Sequence, residues 1–239
     1  MAALPTLEPL RKQSLDRAAA DNLRRAIVSG ALAQGTRLTE MRLAEQFELS
    51  RGTVRAALQR LASEGLVVQR PYSGWDVAAL SVKDAWELST LRSSFEALAA
   101  RLGAERIDAE GRRSVESAFD ALKVAADGGR ADEVVGADMA LHRTLVALSG
   151  NRRLCDHYDL IANQVRLYIA SSTIVVKRMS TVVERHRDLI EPILSGDAAL
   201  AEIVARAHSM RSGAEIVAFL NEHGHSPNAR DYAEARSPL

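Results

Sequence analysis

The stretch from residue 38 to residue 77 constrains the fold of this chain more than any other part. Apolar residues recur there every three or four positions in two segments. They are Leu43, Ala44 and Phe47 in the first segment, and Val54, Ala57, Leu58 and Leu61 in the second. Such spacing places side chains on one face of an α-helix. Two short apolar runs follow, on either side of Pro71 and Gly74, which are typical turn residues. The pattern predicts a helix, a tight turn, a second helix and a β-ribbon.

Helical patterns dominate the rest of the sequence. One helix is predicted from about Leu15 to the stop at Gly30, and six more are predicted after Leu80, over residues 83–104, 108–127, 131–149, 151–176, 180–195 and 197–222. Hydrophobic residues make up 47% of the chain and aromatic residues only 4%, which favours packed helices. We expect a mainly α protein with a C-terminal bundle of about six helices.

This organisation predicts two domains between loose ends. We expect an arm over residues 1–13, a first domain over 14–80, a helical domain over 81–222 and a tail over 223–239. Residues 1–80 hold 11 Lys and Arg against 8 Asp and Glu, whereas the remainder holds 20 against 23. The weak excess of positive charge lies in the first domain, as expected for a nucleic-acid-binding module.

No membrane or secretion signal is visible. No apolar run approaches the ~18–20 residues of a membrane helix, and the N-terminus lacks an apolar signal region. Cys155 is the single cysteine, which excludes an intramolecular disulfide and indicates a reducing compartment. We therefore expect a cytoplasmic protein.

The second helix of the 38–77 stretch has features of a DNA-reading helix. Ser50 is a good N-cap, and Arg51 and Arg55, four residues apart, project from the same face. Arginine suits bidentate contact with guanine, and a helix N-terminus favours phosphate. Gly74 at the ribbon tip would reach the adjacent minor groove, with Arg70 or Tyr72 nearby. We expect DNA contacts from Arg42, Ser50, Arg51, Gly52, Thr53, Arg55 and Gly74. The alternative is that both arginines are solvated surface charges.

Residues 15–77 resemble the winged helix-turn-helix domain of the GntR family of bacterial transcription regulators. The matching pattern is Leu38-x-Glu40-x-x-Leu43-Ala44, Ser50-Arg51-x-x-Val54-Arg55-x-Ala57-Leu58, Leu61-x-x-Glu64-Gly65-Leu66-Val67 and Gly74-x-x-Val77. The family often has proline where Thr53 stands and glutamate where Ala56 stands. These departures are expected to tune the preferred DNA bases, because Thr53 keeps a hydrogen-bonding side chain at the DNA.

A second set of residues has the chemistry of a metal site. Asp138 and His142 are four apart in a helical pattern and share a face, while His186 and His208 lie in separate helical patterns. One carboxylate and three imidazoles suit Zn²⁺, Ni²⁺, Mn²⁺ or Fe²⁺. The spacing alone is a weak signal, since a lone histidine in a helix is more often a surface or core residue.

Residues 84–222 resemble the FCD domain, the helical effector-binding partner on the FadR-type branch of the GntR family. The branch pattern is present as Leu91-Arg92-x-x-x-Glu96-x-x-Ala99-Ala100, Asp138 to His142, Gly150-Asn151, His186-Arg187, Gly196-Asp197 and His208. The resemblance implies a divalent transition metal held by Asp138, His142, His186 and His208, with zinc first and nickel, manganese or iron as alternatives. It also implies a small carboxylate that completes the metal coordination and pairs with Arg92. A plain surface salt bridge is the alternative for Arg92.

Together these features predict a ligand-responsive transcription regulator and not an enzyme. A homodimer would place two recognition helices in successive major grooves of a palindromic operator. Two alternatives stay open. One is a metal-dependent hydrolase carrying a DNA-binding module, although no HExxH motif and no placed general base support it. The other is a regulator whose metal is purely structural.

Overall fold

The computed structural model describes residues 15–70, 74–79, 81–170 and 181–223. The N-terminal unit contains the predicted helices, α1 (Leu15–Val28), α2 (Glu40–Phe47) and α3 (Arg51–Ser63). Side-chain caps explain where two of them begin: Thr39 accepts a hydrogen bond from the Arg42 backbone N–H, and Ser50 accepts one from the Thr53 backbone N–H. The predicted helix-turn-helix is therefore confirmed.

The N-terminal unit also contains a small antiparallel sheet. Its strands are β1 (Arg37–Leu38), β2 (Val67–Arg70) and β3 (Gly74–Val77), in the order β1-β3-β2. Arg70 pairs with Gly74 in register, as expected for the two strands of the predicted ribbon. The prediction missed β1, because two residues are too few to show alternation and their partner in β3 is distant in sequence. The predicted turn residues 71–73, Tyr72 included, lie outside the described residues.

The helical unit begins after Ser81, which forms a capping box with Asp84. Its described helices are α4 (Val82–Ala104), α5 (Ala109–Gly128), α6 (Ala131–Leu148), α7 (Arg152–Ala170), α8 (Val182–Ser195) and α9 (Ala198–His223). The predicted bundle of about six helices is confirmed, with small shifts at the ends. Residues 171–176 of the predicted fourth helix lie outside the described part, as do residues 1–14 and 224–239.

Helices α4 and α9 cross at a very close contact. A Cβ atom added to Gly213 would lie 2.3 Å from the Cβ of Ser89, so only glycine allows this separation. Both residues are buried. The crossing brings the middle of α4 against α9, where Glu96 and Ser209 meet.

The two units pack against each other through α7. The Gln164 side-chain amide donates to the backbone carbonyl of Glu64 at 3.0 Å, and the Gln34 amide donates to that of Leu167 at 3.4 Å. One buried apolar cluster includes residues of both units, such as Leu23 and Ile161. Glu64 is the C-cap of α3, so α7 contacts the end of that helix directly.

Among the described helices, none combines the length and the apolar character that crossing a membrane requires.

Candidate functional site

The first candidate surface surrounds the N-terminus of α3. Arg51, Gly52 and Arg55 are exposed there, whereas Val54 and Leu58 on the opposite face are fully buried. The Ser50 hydroxyl lies 2.8 Å from the Thr53 hydroxyl in addition to capping the helix. The surface therefore has the exposed arginines that the sequence predicts, on a helix whose start is fixed by its own side chains.

Arg55 is held by a carboxylate of the preceding helix. Its guanidinium makes two hydrogen bonds to Glu40, at 2.9 and 2.7 Å, and Glu40 also accepts one from the indole of Trp75 at 3.3 Å. The hydrogen bonds from Arg55 lower the pKa of Glu40. Sequence reasoning did not assign a role to Glu40, although it belongs to the matched pattern. The arrangement orients Arg55 along the face of α3.

The remaining predicted DNA contacts lie at the edges of this surface. Arg42 is exposed on α2. Gly74 begins β3 with φ +100°, and an added Cβ would lie 3.1 Å from the Leu38 carbonyl oxygen, so the backbone itself requires glycine there. Arg70, which was expected near the tip, is bonded to the buried Asp76 at 3.0 Å.

The second candidate site lies between the helices of the helical unit. His142 on α6, His186 on α8 and His208 on α9 place one ring nitrogen each within 4.8 Å of one another. The His142 and His186 Nε2 atoms are 3.2 Å apart. Asp138 completes the group, because its Oδ1 lies 2.8 Å from His186 Nε2 and 4.0 Å from His142 Nε2. The structure thus brings together all four predicted ligands from three helices.

Burial and neighbouring charges shift the pKa values of this cluster in different directions. Burial alone would lower the pKa of His186, but the neighbouring Asp138 carboxylate raises it overall. Burial would raise the pKa of Asp138, yet His186 brings it well below its usual range. Burial and the two other histidines hold the pKa of His208 well below its ordinary value. His208 therefore offers a lone pair at neutral pH.

The arrangement fits a divalent transition metal. Two ligand atoms that are each about 2.0–2.1 Å from Zn²⁺ lie roughly 3 Å apart, which matches the short contacts of His186 Nε2 with His142 and Asp138. His186 Nδ1 lies 2.8 Å from the Val182 carbonyl oxygen, so this nitrogen carries the proton and Nε2 presents the lone pair. A proton or a metal ion must stand between Nε2 and the Asp138 carboxylate, and three imidazoles with one carboxylate suit a metal.

A buried carboxylate that was not predicted as a site residue lies behind this cluster. Glu96 on α4 is 5% exposed, and its Oε1 lies 3.1 Å from His142 Nδ1. It accepts hydrogen bonds from Arg92 and Tyr158 at 2.7 and 2.6 Å, and from Ser209. Burial would raise the pKa of Glu96, but Arg92 and the other partners hold it well below its usual range. The matched pattern contained Glu96, yet a helical glutamate gives no sign of burial.

A pocket opens beside the four predicted ligands. Its empty volume is about 590 Å³, part of which is open to solvent, and Asp138 and the three histidines line it. Arg92, Arg185 and Ser212 add polar groups, and Val134, Val182 and Ile216 add apolar ones. Arg92 is 4% exposed, which excludes the alternative of a surface salt bridge, although its partner is Glu96. Arg185 is paired with Glu215 at 2.9 Å. A pocket in which polar and charged groups converge beside apolar side chains is typical of a small-molecule site.

Comparison with protein families gives two matches along the chain. Residues 15–77 match the gntR family of bacterial regulatory proteins, and residues 87–211 match the FCD domain. The two ranges correspond to the N-terminal unit and to most of the helical unit. The FCD match alone covers more than half of the chain.

Relatives and solved structures agree with these matches. The chain is 29% identical to a protein of Paenarthrobacter nicotinovorans named "Probable D-xylose utilization operon transcriptional repressor", over 87% of this chain and 88% of that one. It is 25% identical to the HTH-type transcriptional repressor RspR of Escherichia coli K12, over 78% of this chain and 82% of the relative.

Two solved structures share the fold. A transcriptional regulator GntR from Rhodococcus sp. RHA1 superposes with a TM-score of 0.76 at 23% identity, over 86% of this chain and 99% of that one. Escherichia coli McbR/YncC gives a TM-score of 0.71 at 18% identity, over 89% and 100%. A winged helix-turn-helix with exposed arginines, joined to a helical unit that matches the FCD domain, is the arrangement of a DNA-binding regulator. The chain belongs to the GntR family of bacterial transcriptional regulators and carries an FCD effector domain.

Proposed function

We propose that this regulator senses a small organic acid at a metal ion held by Asp138, His142, His186 and His208. The observation that carries the proposal is the convergence of these four side chains on one pocket, although up to 70 positions separate them in the sequence. The metal would supply a Lewis-acid position for a carboxylate of the effector. Zinc is the first choice, and nickel, manganese and iron are alternatives.

Arg92 would bind the same acid. Its guanidinium is buried, lines the pocket and is oriented by Glu96, so it is held in place before an anion arrives. Arg185 lines the pocket as well and gives a second cation for an acid with more than one carboxylate. This arrangement supports an anionic effector over a neutral one.

The DNA-binding half of the proposal is a homodimer on a palindromic operator. Residues 14–80 would form the DNA-binding domain and residues 81–222 the effector domain. Two copies of α3 would enter successive major grooves, about 34 Å apart. The contacts are proposed to come from Arg42, Ser50, Arg51, Gly52, Thr53, Arg55 and Gly74.

Effector binding would change operator affinity through α7. This helix carries Tyr158 at one end of the site and Gln164 at the C-cap of α3. A coupling free energy of ~1–3 kcal/mol would change operator affinity ~5–150-fold, and DNA would change effector affinity by the same factor.

The geometry favours sensing over the hydrolase alternative. A metal-dependent hydrolase needs a carboxylate that is able to take a proton from the attacking water. Glu96, the buried carboxylate behind the cluster, already accepts hydrogen bonds from Arg92, Tyr158 and Ser209. Glu96 is therefore placed to support neighbouring side chains and not to take a proton from water.

The test is elemental analysis of the purified chain, followed by thermal unfolding of metal-loaded and metal-stripped samples with a panel of small organic acids. We expect one equivalent of metal per chain, and stabilisation by one class of acids only in the loaded sample. Metal binding without any response to acids would indicate the structural-metal alternative. The absence of bound metal in both preparations and after reloading would contradict the proposal.

A further inference from the structure

We propose that Glu96 is the positioning residue of the metal site. Its carboxylate fixes the orientation of the His142 ring and thereby sets how tightly the four ligands hold a metal ion. The inference rests on the proposed function, because it assumes that Asp138, His142, His186 and His208 bind a metal.

The Glu96 carboxylate is itself held in one orientation. Its Oε1 accepts hydrogen bonds from Arg92 Nε and from the Tyr158 hydroxyl, and its Oε2 accepts one from the Ser209 hydroxyl. These donors come from α4, α7 and α9, and all three side chains are buried. A buried carboxylate with donors on three sides has little freedom to rotate, which is what a support for another side chain requires.

The supported side chain is His142. Its ring is 1% exposed, and Nδ1 lies 3.1 Å from Glu96 Oε1 but off the direction of an ideal hydrogen bond. In the metal-bound site the Nδ1–H would donate to Oε1. With the proton on Nδ1, the lone pair of Nε2 points towards the other ligands. Metal-binding histidines usually have such an acceptor on the far ring nitrogen.

His186 has the same arrangement with a different acceptor. Its Nδ1 lies 2.8 Å from the backbone carbonyl oxygen of Val182, which a side-chain substitution does not remove. The acceptor behind His142 is a side chain, so it can be changed without changing any of the four ligands. Glu96 is therefore the position where support of a ligand can be tested separately from ligation.

A purely structural role is the competing explanation, since Glu96 forms a buried ion pair with Arg92 within α4 and is hydrogen-bonded to Tyr158 of α7 and Ser209 of α9. A structural role predicts that a substitution lowers the unfolding temperature of metal-free and metal-loaded protein equally. A positioning role predicts that the increment in unfolding temperature caused by metal shrinks and that metal affinity falls.

The decisive experiment measures Zn²⁺ affinity by competition with a chromophoric chelator, and the visible absorption of the Co²⁺-loaded protein, on the full chain. For Glu96→Gln we expect Zn²⁺ affinity to fall roughly 10–100-fold and the Co²⁺ absorption to change. The matched control is Glu64→Gln, which changes a carboxylate bonded twice to Arg24 in the N-terminal unit. We expect its Zn²⁺ affinity and Co²⁺ spectrum to equal those of the wild type.

Two milder variants keep the test decisive if Glu96→Gln fails to fold because Arg92 loses its counter-ion. Tyr158→Phe and Ser209→Ala each remove one donor to Glu96 and keep its charge. We expect each to weaken Zn²⁺ binding roughly 2- to 10-fold. If every folded variant binds Zn²⁺ with the wild-type affinity, the positioning role of Glu96 is wrong, while the proposed metal site is unaffected. A wild-type chain that binds neither ion would overturn the proposed function and this inference with it.

Discussion

The two candidate sites of this protein are built in opposite ways. The surface around α3 is formed by residues close in sequence, and its order comes from local contacts such as the Ser50 cap. The cluster of Asp138 and the three histidines is formed by residues on three helices, and its order comes from how these helices pack. Local assembly makes the first site robust to changes elsewhere, whereas the second depends on distances between helices.

The strongest test of this contrast removes one ligand of the cluster. We expect His186→Ala to lower metal affinity by more than the roughly 10–100-fold typical of a change behind a ligand. Operator binding in the absence of effector should persist, because the α3 surface is built separately. Metal content and chelator competition measure the first effect, and a gel-shift titration measures the second. The control is His157→Ala, which removes an exposed histidine of α7. Retention of wild-type metal affinity in His186→Ala would remove this residue from the site.

A second test changes the helix spacing without touching a ligand. We expect Gly213→Ala to destabilise the protein by about 1–3 kcal/mol, because the new Cβ would meet Ser89 and force α4 and α9 apart. It should also weaken metal binding. Urea unfolding of the metal-free chain gives the stability.

The control for this test is Gly136→Ala in α6. An added Cβ there has no neighbouring atom within 4 Å, so we expect stabilisation by about 0.5–1 kcal/mol. Equal effects of the two substitutions would show that the crossing tolerates expansion.

The third test addresses the candidate DNA-binding surface around α3. We expect Arg55→Ala to weaken specific operator binding about 5- to 150-fold while leaving the fold and metal affinity unchanged, because a bidentate contact with a base is lost. Binding to non-specific DNA should change much less. Footprinting and salt-dependent titrations measure both quantities. An Arg55→Ala protein with a normal footprint would contradict the assignment of α3 as the recognition helix.

The smallest effect is expected from the cap of α3. Ser50→Ala removes the acceptor of the Thr53 backbone N–H and should destabilise the protein by about 1 kcal/mol. Chemical denaturation measures this loss, and metal affinity should stay at the wild-type value. A parallel loss of metal affinity would show that the two sites are less separate than the structure indicates.

The same contrast explains what the sequence alone could predict. Ser50 and the apolar spacing of α3 are local signals, and both are confirmed by the structure. The pair Asp138 and His142 was predicted to share a face of one helix, and the two side chains do converge. β1 was missed because its pairing partner is distant in sequence.

The surroundings of the cluster of Asp138 and the three histidines could not be predicted in this way. Spacing gives no indication that His186 and His208 meet His142, and only the resemblance to the FCD domain placed them together. Glu96 is a residue type that normally lies in solvent on a helix. Its burial results from the convergence of α6, α7 and α9 on α4, which is a property of the packing and not of any local segment.

The hydrogen bond from Gln164 to the Glu64 carbonyl has a consequence for how such proteins can be recombined. The C-cap of α3 is hydrogen-bonded to a side chain from the other unit of the molecule. A chimera that joins residues 15–79 to an unrelated sensor would leave that carbonyl to find another donor. A fusion protein that combines this N-terminal unit with another helical unit should therefore keep a donor equivalent to Gln164 next to Glu64. The hydrogen-bonded contact between the two units is thus a structural requirement of both units.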